Sequence, residues 1–279
     1  MEDNKGFSKY YPLIYLVISF GFSWLLFLPN VFADNALATT PLLIARIIAG
    51  YGPAAAAVIL VWLSEGREAV QRLLRSVIDV AGRAKWIAAA VVLAVLSVAL
   101  PIVVLIFTQG FSLERIPTSS WLRLLPNFII SLLFHSSVAD EIGWRGFFLP
   151  KLQQQNSAFA SSVIAGLLWG LWQLPTYYFV GLVESHLSLV WLLIETAALS
   201  VILTWIYNST KSLAVPVIFN GVFRTLTQFF MPLAVLTNDA LRFQQLYSGV
   251  LVNIAIVILL FCGGKTLVFS YQPRRSGNR

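Results

Sequence analysis

Asp140-Glu141-Ile142-Gly143-Trp144-Arg145-Gly146 places two adjacent acids and an arginine inside a stretch that otherwise reads as membrane-spanning. An ionised side chain in hydrocarbon is costly unless it is paired or wetted, so these residues are functional candidates by default. Glu141 and Arg145 are four apart and fall on one helix face, a turn from each other. Asp140 points about 100° away from Glu141 on a helix of 3.6 residues per turn. One carboxylate can thus be held by Arg145 while the other faces a cavity, an arrangement suited to general acid and base work.

Two further segments carry polar pairs at the same spacing. Trp169-Gly170-Leu171-Trp172-Gln173-Leu174-Pro175 sets Trp169 and Gln173 one turn apart, and a later segment does the same with Asn220 and Arg224. At 1.5 Å per residue, Asp140 lies about 14 Å, Gln173 about 21 Å and Asn220 about 10 Å from the charged ends of their spans. Those depths allow the three to meet between the membrane centre and one face. Singly, such a Gln or Asn is more often an ordinary interhelical hydrogen-bonding residue; beside the acid pair, they read as parts of one site. Arg46 and Glu195 form a second candidate pair, read as a packing contact between the second and sixth spans.

The elements that must position these groups are helices. The chain is 58% hydrophobic and 11% charged, with a mean hydropathy of +0.79. Soluble domains carry about 25% charged residues, so the class expected is an all-α polytopic membrane protein. Eight stretches are long enough to span a bilayer: 11–31, 42–63, 86–107, 125–149, 159–181, 188–207, 213–236 and 246–264. They would surround a polar intramembrane cavity within one integral-membrane domain, 1–279. The first stretch follows Lys5 and Lys9 like a signal peptide, but its apolar run is too long for one, and it reads as a retained helix.

With both termini cytoplasmic, thirteen Lys and Arg fall in inside loops and tails. Only Arg115, Arg123 and Arg242 fall outside, a strong positive-inside asymmetry. The expected location is therefore the cell membrane as a multi-pass protein. The net charge of +7 sits in loops and tails, which suits anionic lipid rather than nucleic acid. Residues 64–85 read as an amphipathic helix, with Val70, Leu73, Leu74 and Ile78 on one face. A single cysteine, Cys262, excludes an internal disulfide and a thiolate metal cluster.

These residues together resemble the CPBP family of intramembrane proteases, the CAAX-processing and bacteriocin-processing proteins that include the Ras-converting CAAX endopeptidase. The family's first motif, Glu-Glu-x-x-x-Arg, stands here as Asp140-Glu141-x-x-x-Arg145-Gly146. The second, Phe-x-x-x-His before Leu-Pro, stands as Trp169-x-x-x-Gln173-Leu174-Pro175. The third, His-x-x-x-Asn after a helix-starting Ser, stands as Asn220-x-x-x-Arg224, eight residues beyond Ser212. Gly52-Pro53 and the charged loop after it also resemble the family, whose core corresponds to about 125–236.

The resemblance implies that the leading carboxylate and the second-motif histidine activate water, while the third-motif His and Asn stabilise an oxyanion. Here both histidines are replaced and the leading Glu is the shorter Asp140. His135 lies five residues before Asp140, and His186 falls in an expected outer loop, so neither is a substitute. The residues assigned to the site are Asp140, Glu141, Arg145, Gln173, Asn220 and Arg224. Carboxylates, amides and arginines without His or Cys make zinc an unfitting ligand, and no cofactor is expected.

Two readings follow. In one, the chain is still an endopeptidase, with weak activity on membrane-embedded or prenylated peptides. Asp140 or Glu141 is then the base, Gln173 holds water or the carbonyl, and Asn220 donates to the oxyanion. In the other, it is a pseudoprotease that binds a peptide or helix in the same cavity. Arg224 either binds an oxyanion or clamps Asp140. A proton-coupled transporter is a third class, disfavoured because no inverted repeat or matched pair of broken helices is visible.

Overall fold

The computed structural model describes residues 10–31, 40–133, 137–179 and 188–269. Among these every regular element is helical and none is a strand, as a lipid-exposed backbone with no water to satisfy it requires. In order they are α1 (Tyr11–Val31), α2 (Thr40–Ala49), α3 (Gly52–Glu65), α4 (Arg67–Arg75), α5 (Ala84–Gln109) and α6 (Leu124–Leu133). Then come α7 (137–153), α8 (Ala158–Trp172), α9 (Leu174–Phe179), α10 (Leu189–Thr210), α11 (Ala214–Leu236) and α12 (Ala240–Cys262).

The chain is an all-α polytopic membrane protein. Among the described residues five helical stretches are long and apolar enough to cross a bilayer, and a sixth joins them if α2 and α3 form one span bent by 45°. The expected eight is therefore not reached by length and composition alone. Gly50, Gly52 and Pro53 stand at the α2–α3 break, where Pro occupies the first turn of α3, a position it tolerates because its missing N–H is an orphan there. The expected span 159–181 is also divided. Gln173 caps the end of α8 and Pro175 opens α9, so α8 has only 15 residues. α11 has length enough, with 23 residues, but Asn220, Arg224 and Gln228 dilute its apolar run.

Side-chain burial is distributed as a bilayer dictates. Leu25, Phe107 and Leu260 are exposed on outer faces, while Ser19, Ser97, Asp140, Glu141 and Asn220 are buried within. α8 packs along α10, α10 along α12, and α11 between α5 and α6. α3 lies against both α1 and the acid-bearing part of α7.

The basic loops meet at one end of the bundle. Lys151 reaches Glu65 at 3.6 Å, and Arg83 Nε donates to the Thr210 carbonyl at 3.2 Å. Ser212 Oγ donates to the Asp79 carbonyl at 2.6 Å, which fixes the start of α11 against the segment after α4. The amphipathic helix expected over 64–85 is real but short. Val70 and Leu73 pack on the core, whereas Leu74 and Ile78 are exposed, because α4 stops at Arg75 and Ile78 lies beyond it.

Candidate active site

The acid motif does not sit on an ordinary α-helix. Residues Glu141–Phe148 form a π-helical stretch inside α7, flanked by α-helical Ser137–Asp140 and Leu149–Gln153. π-helical insertions are rare and concentrate at functional sites. The stretch is held tightly. A Cβ added at Gly143 would lie 2.5 Å from Pro53 Cβ and 2.6 Å from the Tyr15 hydroxyl. Only glycine therefore lets α1, α3 and α7 meet at this point.

Glu141 and Arg145 pair as their spacing predicts. Arg145 Nη1 donates to Glu141 Oε1 at 3.4 Å, and Nε lies 3.4 Å from Oε2. Both side chains are buried, at 0% and 1% exposure. The guanidinium also lies over the Trp169 ring, 4.7 Å from its centroid, which brings α8 against the motif. Asn220 Nδ2 donates to Glu141 Oε1 at 3.0 Å from α11. Glu141 is thus held from two helices.

Asp140 is held as well. Arg224 Nη2 lies 2.8 Å from Asp140 Oδ2, and Arg224 Nε donates to Asn220 Oδ1 at 3.1 Å. Arg224 also lies over Trp169, 5.7 Å from the ring centre, so the indole serves both arginines. Such pairing makes ions tolerable in a low-dielectric interior. The contacts form one continuous chain: Arg145 to Glu141, Glu141 to Asn220, Asn220 to Arg224, Arg224 to Asp140.

Five of the six sequence candidates therefore meet in one buried cluster. The sixth, Gln173, is half-buried at the α8–α9 break, and no described hydrogen bond joins its side chain to the cluster. Its helical neighbour Trp169 makes the contact instead. The expected pairing of Arg46 with Glu195 is not among the described ion pairs. Glu195 accepts from the Tyr247 hydroxyl at 3.0 Å, and α12 supplies the partner that α2 was expected to give. His135 and His186 lie outside the described residues.

Sequence reasoning missed Tyr15 and Trp144. Tyr15 is fully buried on α1, stacked on Phe148 at 5.1 Å and edge-on to Trp144 at 5.6 Å. Its hydroxyl, Trp144 Nε1, Trp169 Nε1 and Arg145 Nη2 have no hydrogen-bond partner among the described residues. Buried donors are ordinarily satisfied, so four such donors around one acid motif are unusual. A lone tyrosine in an apolar span gives no sequence signal of that kind. No group of three or more His, Cys, Asp or Glu side chains able to hold a metal is found among the described residues.

The segment that carries this geometry also matches known proteins. Residues 119–226, which contain all six candidates, match the family described as Type II CAAX prenyl endopeptidase Rce1-like. The chain is 25% identical over 140 residues to a CAAX prenyl protease 2 of Methanococcus maripaludis, covering 48% of this chain and 49% of that protein. It thus spans about half the length of that relative. The matched segment, with the acid motif, the ordered second and third motifs and the helical membrane architecture, is thus similar to the CAAX prenyl endopeptidases of this Rce1-like family.

Proposed function

We propose that the chain acts on membrane-associated, prenylated peptides through the buried cluster of α7, α8 and α11, and that it binds them better than it cleaves them. The site belongs to one integral-membrane domain whose working core is about 125–236. The similarity of residues 119–226 to CAAX prenyl endopeptidases supports the peptide substrate class. The observation that carries the weak-cleavage half is the 2.8 Å ion pair between Arg224 and Asp140.

The chemistry runs as follows. A carboxylate that activates water must take a proton, and a guanidinium in contact with it favours its charged form and lowers its basicity. Glu141 is held in turn by Arg145 and Asn220. Neither Gln173 nor Asn220 can accept and return a proton near neutral pH, so the relay a histidine would supply is missing. Loss of a general base alone costs about 10²–10⁴ in rate. Beside the cluster, the Tyr15 hydroxyl and Arg145 Nη2 have no described partner, and a peptide carbonyl is an acceptor for such donors.

The pseudoprotease reading is favoured by the same ion pair, and one experiment separates the two. Purified protein in liposomes is given a panel of quenched prenyl-peptides, with turnover and binding measured together. Binding with turnover near background is the expected result. Robust turnover abolished by both Asp140→Ala and Glu141→Ala would overturn it and make the clamped carboxylates a working acid–base pair.

A further inference from the structure

A cavity of about 370 Å³ opens at the basic end of the bundle between α3, α4, α7 and the start of α11. Its rim carries Glu65, Arg72 and Lys151, and its wall includes Leu73, Phe147 and Leu213. We propose that it is a binding site for one anionic glycerophospholipid, with the headgroup phosphate between Arg72 and Lys151. This rests on no assumption about proteolysis.

The chemistry of the rim selects the ligand. Among the lining residues two cations and one carboxylate leave one net positive charge, which a phosphodiester with a single negative charge matches; Glu68, 4.0 Å from Arg72, is 92% exposed and lies outside the lining. Lys151 is held in place rather than waving in solvent. Its ammonium lies 5.7 Å from the ring centres of both Tyr11 and Phe147. Its pairing with Glu65 Oε1 spans 3.6 Å, too long for a hydrogen bond, so its protons remain available. Glu65 and Arg72 are more exposed than Lys151 and can adjust around a headgroup.

Position and shape select a lipid over a free phosphate. α4 carries Arg67, Arg72 and Arg75 on nine residues at the edge of the span, as interfacial helices at anionic bilayers do. Val61, Leu73, Phe147 and Leu213 give the wall an apolar part, which suits the first acyl carbons. Trp62 and Leu63, next to it on α3, are 61% and 67% exposed and offer acyl chains an outer surface to follow.

An occupant would also touch the acid helix. Gly146 and Phe147 line the cavity, and a Cβ at Gly146 would lie 2.6 Å from Leu73 Cδ1. α4 and the π-helical stretch therefore bear directly on one another. A lipid seated between them would stabilise the stretch that holds Glu141 and Arg145.

The test uses the full chain, delipidated in neutral detergent, and short-chain phosphatidylglycerol, phosphatidylcholine and glycerol 3-phosphate as probes. Adduct formation by native mass spectrometry and the shift in thermal midpoint are read for each. Phosphatidylglycerol should bind and raise the midpoint, and the other two should not. Arg72→Ala and Lys151→Met should each weaken its binding by about five-fold, the contribution of one cation near a lipid surface. Glu65→Gln should strengthen it, because it removes a competing charge from Lys151. Arg242→Ala, at the opposite end, should leave it unchanged. Equal binding of phosphatidylcholine, or wild-type binding by both cation variants, would overturn the site. Glycerol 3-phosphate saturating at the same concentration as the lipid would overturn the lipid as its ligand. None of these readouts involves peptide cleavage, so their failure leaves the peptide-binding reading untouched.

Discussion

Arg224 and Asp140, 84 residues apart in sequence, meet at 2.8 Å, with the carboxylate fully buried and the guanidinium side chain 19% exposed. The same guanidinium donates through Nε to Asn220 Oδ1. One cation therefore fastens α11 to α7. Removing it alone leaves a charge in the interior. Arg224→Ala should lower stability by about 3–5 kcal/mol, the usual cost of breaking a buried pair from one side. Adding Asp140→Asn should return a large part of that. The check is a double-mutant cycle on thermal or denaturant unfolding in detergent. Additive losses, with no coupling between the two sites, would mean the pair is not formed in solution.

Arg145 makes a different kind of contact. It pairs with Glu141 and lies over the Trp169 ring, so it contacts a carboxylate and an indole at once. Arg145→Ala should destabilise by about 3–5 kcal/mol, and Arg145→Lys should rescue little, because an ammonium cannot span two carboxylate oxygens or stack on the indole. Melting curves of the two variants beside wild type decide it. A lysine variant that melts like wild type would show that charge alone matters here.

Gly143 tests the packing around the acid motif rather than its charges. Its missing Cβ leaves room for Pro53 and for the Tyr15 hydroxyl, neither of which is the loose end of a flexible chain. Gly143→Ala should cost about 1–3 kcal/mol as an overpacked core does, although alanine is the better helix former. Tyr15→Phe in the same background should relieve part of the strain, since it removes one of the atoms in the way. A Gly143→Ala protein as stable as wild type would mean that the three helices do not approach this closely.

The charged residues made most of this arrangement legible in advance. Ions in an apolar chain are so costly that Asp140, Glu141, Arg145 and Arg224 had to find one another, and spacing of four gave the Glu141–Arg145 contact outright. The class of fold followed from composition for the same reason. What stayed hidden depends on backbone detail. Periodicity cannot distinguish a π-helical stretch from an α-helix, so the widening at Glu141–Phe148 left no trace. Pro53 and Pro175 were visible, yet the apolar runs continued through them, and the breaks beside them were read as unbroken spans. Glu195 had Arg46 as its formal partner, and nothing local favoured a tyrosine on α12 instead.

The replaced motif residues give the most direct test of what limits turnover. Gln173 and Asn220 stand where the family resemblance implies histidines, and Arg224 stands where it implies a neutral amide donor. If the cavity otherwise still fits a peptide, supplying the missing proton carriers should recover cleavage. Gln173→His with Asn220→His restores imidazoles, Arg224→Asn unlocks the leading carboxylate, and Asp140→Glu restores its reach. The four changes belong together, because Arg224→Asn alone strands Asp140 and Asn220→His alone removes the amide that holds Glu141. Hydrolysis of prenyl-peptides by the combined variant in liposomes should rise at least 10²-fold over wild type, about the contribution of one acid–base group. The matching control is the same variant with Glu141→Gln, which should fall back. A combined variant that folds, binds peptide and still does not cleave would show that the block lies in how the π-helical stretch presents its carboxylates. The identities of the histidines and amides would then not be the limiting factor.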